Sequence, residues 1–178
     1  MLRQLVPECT LITLEHDTEG AACTVLLATA YIDGGEELVI ANSDQLVDYD
    51  LNRFIEHARR SGADGSILTF EAVHPKWSYA RVNDAGLVTQ VAEKRVISNH
   101  ATVGIYYFRR GSDFVQAATS MIRKELRINN EFYVCPVYNE LILADRKIIA
   151  HEIPEGAMHG LGTPEDLEIY LSRTGPRT

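Results

Sequence analysis

Short apolar runs separated by glycine- and Asx-rich turns set the rhythm of this chain. Thr10–Leu14 reads as a first short strand, and Gly20–Tyr31 follows with small and apolar residues at helical spacing, ending at Asp33-Gly34-Gly35. Leu38–Ala41 is a branched, apolar run that stops abruptly at Asn42-Ser43-Asp44-Gln45, the pattern of a buried parallel strand. Leu51–Arg60 places Leu51, Phe54, Ile55 and Ala58 on one helical face before the breaker Gly62–Gly65, and Ser66–Phe70 is the next buried strand. This β-α-β-α-β succession predicts a parallel sheet with right-handed crossovers covered by helices.

From there the pattern changes. Tyr79–Asn83, the turn Asp84–Gly86 and Leu87–Ala92 alternate as a β-hairpin, and Ala101–Phe108 is a further strand. Helices are predicted at about 111–125 and 136–144, then a strand at Lys147–His151 and a last helix from Pro164 to Leu171. That last helix has Thr163 as its N-cap, Pro164 at its first position, and Glu165 and Asp166 complementing its dipole. The fold class is mixed α/β, and 178 residues fit a single domain, 1–178.

Composition narrows the function classes. With 46% hydrophobic and 24% charged residues the chain is an ordinary globular sequence, so one compact unit is expected, ordered outside the ends. Its net charge of −8 and dispersed Lys and Arg argue against a nucleic-acid partner. No apolar run approaches the ~20 residues needed to span a bilayer, so no membrane partner is expected. Cys9, Cys23 and Cys135 are odd in number and widely spaced, which fits reduced thiols in a cytoplasmic protein. In open α/β sheets ligands bind beyond the carboxyl ends of strands, where Asp44 stands. Asp44 is there either a ligand for Mg²⁺ and its phosphates or an N-cap for the helix that follows, and the residues alone leave both open.

Six segments occur in a fixed order: Thr18–Ala22, Asn42–Gln45, Glu93-Lys94, Ala101–Phe108, Asn130–Val134 and Gly160–Leu167. Together they resemble the sugar-1-phosphate nucleotidyltransferases, or sugar-nucleotide pyrophosphorylases, over roughly residues 10 to 172. The resemblance implies a Rossmann-like, mixed, mostly parallel sheet flanked by helices. It also implies a reaction joining an NTP to a sugar 1-phosphate, or a similar small phosphate, with release of pyrophosphate. Asp44 would hold the Mg²⁺ that bridges the nucleotide phosphates. Lys94 would face the sugar phosphate, and Glu93 would accept hydrogen bonds from sugar hydroxyls. Gly104 would let the sugar lie against the backbone, with Tyr106 projecting to the same side. Glu19, Gly20 and Ala21 would approach the nucleotide at a helix start. Tyr79 occupies the place of a family tyrosine near the sugar, followed by Ala80 where glycine is usual, and Glu131 resembles an acidic residue after the sugar pocket. Without the family context, Glu93-Lys94 reads as a solvated pair at a strand end, and Gly104 and Tyr106 read equally as a bulge and a core residue.

Two departures qualify this. The family's opening strand and its basic, glycine-rich phosphate loop have no counterpart in the sequence, which implies an N-terminally truncated version with impaired nucleotide transfer. The alternative is a non-catalytic module that binds a sugar phosphate or a partner chain. A missing strand also leaves open edges and predicts a tendency to homo-oligomer formation. Second, the family's other Mg²⁺ ligand, an Asp two residues before a Gly-Thr pair, is here Gly160. The adjacent His159 is a poor ligand for a hard cation and reads as a surface residue beside a turn.

Overall fold

The computed structural model describes residues 2–154 and 156–174. A short α1 (Leu2–Leu5) leads into residues 9–14, which take no regular structure. The strand predicted over Thr10–Leu14 therefore does not form. Leu11, Ile12 and Leu14 stay well exposed, and no neighbouring strand among the described residues offers them backbone partners. The helix predicted from Gly20 to Tyr31 arrives in two pieces, α2 (Ala21–Leu26) and α3 (Thr29–Ile32). At the junction the Thr29 hydroxyl donates to the Leu26 carbonyl, a local bond that competes with helix continuation.

The remaining elements are β1 (Leu38–Ala41), β2 (Gln45–Val47), α4 (Leu51–Ser61), β3 (Gly65–Glu71), β4 (Tyr79–Val82), β5 (Val88–Ala92), β6 (His100–Phe108), α5 (Gly111–Arg123), α6 (Val137–Leu143), β7 (Ile148–Glu152), β8 (Met158–Gly160) and α7 (Pro164–Thr174). Helix α4 starts on Asp50, whose carboxylate accepts from the Asn52 amide at 3.0 Å, and stops at Gly62 with φ +67°. Thr163 caps α7 as predicted, its hydroxyl accepting from the Asp166 amide at 3.1 Å.

The main sheet runs β5-β4-β6-β3-β7, with β1 also paired to β6. It is mixed and flanked by helices, as the pattern predicts, but its parallel share is smaller than expected. Among the described strands only β3–β7 pair in parallel. Strands β1 and β3 do run the same way, as the β-α-β succession requires, yet β6 inserts between them and pairs antiparallel with both. Strand β6 takes the centre because eight of its nine residues are buried, whereas in β1 only Ile40 is. The run Leu38–Ala41 is thus an edge strand rather than a central parallel one.

Two apolar cores sandwich the sheet. On one face Ile67, Tyr106 and Phe108 pack with Phe114 and Ala118 of α5 and Val137 and Tyr138 of α6. On the other, Val103, Ile105 and Tyr107 pack with Phe54 and Ala58 of α4. Alternate β6 residues feed the two cores, which is the period-2 geometry of a strand buried on both sides.

Strands β1 and β4 lie end to end along one edge of β6: β1 pairs with residues 105–108, and β4 joins at Ala101. Between them, at residues 102–104, β6 has no strand partner on that edge. The Asn42 amide donates to the Gly104 carbonyl at 3.1 Å, and the Thr102 amide to the Ser78 carbonyl at 2.8 Å. The chain leaving β1 and the chain entering β4 therefore diverge over this gap. The two-stranded β2–β8 pair closes a further side, and the Leu161 amide donates to the Asp44 carbonyl at 2.8 Å.

Candidate active site

A cavity of about 400 Å³ opens at the gap. Its floor is Thr102, Val103, Gly104 and Tyr106 of β6. Asn42, Asp44 and Gln45 come from the end of β1, and Lys76, Trp77 and Ser78 from the approach to β4. Glu93 follows β5, Tyr133–Cys135 precede α6, and Gly160, Gly162, Thr163 and Asp166 come from β8 and α7.

Gly104 sits where β6 bulges: Ile67 and Thr69 of β3 face Tyr106 and Thr102, so three β6 residues oppose one. Its φ is +88°, and a Cβ there would lie 2.7 Å from Asn42 Nδ2 and 2.9 Å from Gln45 Oε1. Both the bulge and the bare backbone facing a cavity hold for this residue. Tyr106 is likewise both core and cavity wall, its hydroxyl 3.1 Å from that of Thr102. Gln45 Nε2, beside this floor, is buried without a protein hydrogen-bond partner among the described residues.

Glu93 is half-buried, and Ser78 Oγ donates to its Oε2. Burial holds the carboxyl above the usual range, against the lowering effect of the Ser78 bond and the nearby Lys94 charge. Its Oε1 has no protein partner among the described residues and is available to hydroxyl donors. Lys94 is exposed and is not itself a cavity wall. It adopts φ +51°, and its ammonium donates to the Tyr133 hydroxyl at 2.8 Å while lying 4.9 Å from that ring's centroid. The hydroxyl bond raises the lysine pKa, so a cation stands at the rim next to a cavity-lining tyrosine.

Asp44 is exposed, and its carboxylate has no hydrogen bond or ion pair among the described residues. Gly162 leaves room for it, since a Cβ there would be 2.8 Å from Asp44 Oδ2. Asp166 is engaged: the Thr163 hydroxyl donates to it at 2.8 Å and Lys76 Nζ at 3.1 Å, and these bonds lower its pKa. The described residues contain no group of three His, Cys, Asp or Glu side chains able to hold a metal. The donor set is thus one free, hard carboxylate, of the kind that a hard divalent cation takes.

The other predicted residues lie around this centre. Ala21 lines the cavity. Gly20, with φ +121°, is required by packing, because a Cβ would come within 2.6 Å of the Phe132 backbone. Glu19 is paired with Arg127 at 2.7 Å, and Glu131 is exposed outside the lining. Tyr79 is fully buried, and its hydroxyl donates to the His74 carbonyl at 2.7 Å, tethering the turn that carries Lys76 and Trp77. His159 turns away, 3.0 Å from the Asp48 carboxylate. Trp77, Ser78 and Cys135 line the cavity without a signal in the sequence. Trp77 and Ser78 precede a strand rather than end one, and Cys135 arrives from a loop.

Residues 6–136 match the family model described as nucleotidyl transferase. Among solved structures, the chain is similar to the nucleoside-diphosphate-sugar pyrophosphorylase from Vibrio cholerae RC9, with a TM-score of 0.76 and 26% identity over 89% of this chain and 67% of that one. It also shares its fold with a Bacillus anthracis protein described as a glucose-1-phosphate thymidylyltransferase and solved with a sucrose, at a TM-score of 0.67 and 20% identity, covering 89% of this chain and 62% of that one. No helix among the described residues is long and apolar enough to cross a membrane. The chain belongs to the nucleotidyl transferase family, among the sugar-1-phosphate nucleotidyltransferases.

Proposed function

We propose that this chain carries the sugar-phosphate side of a reaction in which an NTP and a sugar 1-phosphate are joined and pyrophosphate is released. The observation that supports it most is the convergence of Glu93, Gly104, Tyr106 and Asp44 on one cavity with the Lys94 cation at its rim. In this reading Lys94 attracts the phosphate, and Glu93 Oε1 accepts from sugar hydroxyls. Gly104 lets the ring approach the β6 backbone, and Tyr106 walls the far end. Tyr79 positions the turn before β4, and Glu131 adds negative charge near Glu93 and Lys94. Glu19, Gly20 and Ala21 form the nucleotide side. Asp44 holds Mg²⁺, which when bound neutralises charge on the nucleotide phosphates. A cytoplasmic setting and self-association through the open β1 edge complete the proposal.

A second reading, a non-catalytic sugar-phosphate-binding module, uses the same cavity without turnover. Pyrophosphate release that is lost on Asp44→Ala would decide for the transferase. The shared claim is tested by calorimetry with a panel of sugars and their 1-phosphates. A charge-assisted phosphate contact predicts that the phosphate binds about tenfold or more tighter than the free sugar, and that Lys94→Ala removes most of the difference. Equal affinities in the unaltered chain, or a difference that survives Lys94→Ala, would overturn it.

A further inference from the structure

Trp77 is the only tryptophan in the chain, and it is half-buried in the cavity wall between Lys76 and Ser78. Its indole is held from several directions. Phe70 meets it edge-on, with centroids 5.4 Å apart and planes at 84°. The Lys76 ammonium lies 4.6 Å from its centroid and is itself ion-paired to Asp166 of α7. Gly160 of β8 gives it room, since a Cβ at that position would stand 3.4 Å from Trp77 Cη2. The Tyr79 hydroxyl fastens the same turn through the His74 carbonyl. An aromatic side chain fixed in this way offers apolar surface to the cavity at little further cost in conformational entropy.

Polar groups on the other walls complement that surface. Glu93 Oε1 is an acceptor without a protein partner, and Gln45 Nε2 is a buried donor without one among the described residues. A pyranose ring combines one C–H-rich face with a rim of hydroxyls, and such a face packs against the electron-rich face of an indole. An open-chain polyol phosphate carries a comparable set of hydroxyls and the same charge but no rigid apolar face. We infer that Trp77 is the specificity-determining residue by which this cavity selects a ring-form sugar phosphate over an acyclic one. This rests on the sugar-phosphate reading above.

The test titrates the full 178-residue chain with glucose, galactose and mannose 1-phosphates and with sorbitol 6-phosphate as the acyclic probe. Affinity is read by calorimetry and, in parallel, by the emission of the single tryptophan. At least one pyranose phosphate should bind about tenfold tighter than the acyclic probe, and the emission change should follow the calorimetric isotherm. Trp77→Ala should abolish the ring preference while leaving the phosphate dependence carried by Lys94. Trp77→Phe, which keeps an aromatic face, should retain most of the preference and guards against a loss caused by misfolding. A ring preference undiminished in Trp77→Ala, or unchanged emission across a saturating isotherm, would overturn this inference and leave the sugar-phosphate reading standing. Failure of every sugar phosphate to bind the unaltered chain would overturn both.

Discussion

Glycines of the same backbone class do different work in this chain. Gly86 has φ +75° with nothing near a would-be Cβ, whereas Gly104 has φ +88° and would drive a Cβ into Asn42 and Gln45. A side chain at Gly86 meets backbone strain alone, of about 1–2 kcal/mol. At Gly104 the strain is joined by collision with two polar side chains of the cavity floor. Gly104→Ala should therefore lower the melting temperature more than Gly86→Ala and also weaken ligand binding, which Gly86→Ala should leave unchanged. Thermal melts and calorimetry on the two variants check this; equal effects would show that the floor has slack. Asp44 could be read from the strand that it follows, whereas Glu93, Gly104 and Tyr106 became candidates only through their resemblance to the family's motifs. Trp77, Ser78 and Cys135 could be read in neither way, since their loops are placed by distant contacts such as the Tyr79–His74 tether and the approach of β8.

At the scale of elements, amphipathic helices and long strands were legible because each carries its own period. Phe54 and Ala58 of α4 are fully buried as predicted, while Leu51 on the predicted face remains partly exposed at the helix start. The three-residue β2 and β8 are too short to show alternation, and their pairing is a long-range contact that local pattern does not encode. The order of strands was also illegible, because β6 takes the sheet centre through contacts made on both its edges. Helix α4 is fastened to β7 by a histidine pair: His151 Nδ1 lies 3.0 Å from His57 Nδ1, and its Nε2 lies 2.8 Å from the Tyr49 hydroxyl. Burial first, then the neighbouring His57 and Arg53, lower the His151 pKa. A histidine whose folded pKa is depressed contributes stability above its unfolded value, about 6.5, and that stability is lost as pH falls through the folded value. The melting temperature should thus decline on acidification below about pH 6.5. In His57→Ala the His151 pKa should rise, which imidazole NMR titration reads directly; an unmoved His151 would show that His57 exerts no such influence.

For the whole molecule, the position of the cavity follows from how the sheet is assembled. Strands β1 and β4 share one edge of β6 without meeting, so six segments distant in sequence converge on the vacant stretch at residues 102–104. The sheet beneath, with cores on both faces, holds those segments in register. The outer edge of β1 pairs with no other described strand, and Val39 there is 40% exposed, which leaves an edge open to another chain. A second concavity, lined by Ser120 and Lys124 of the α5 end and Glu140 of α6, competes as a place for an anionic ligand, although Lys124 is already ion-paired to Glu140 at 2.6 Å. The most direct test of the central claim is amide chemical-shift mapping of the isotope-labelled chain during titration with a sugar 1-phosphate. The account predicts shifts concentrated at residues 42–45, 76–78, 93–94, 102–106 and 133–135. Shifts gathered around Ser120, Lys124 and Glu140, or none in the presence of a large ligand excess, would contradict it.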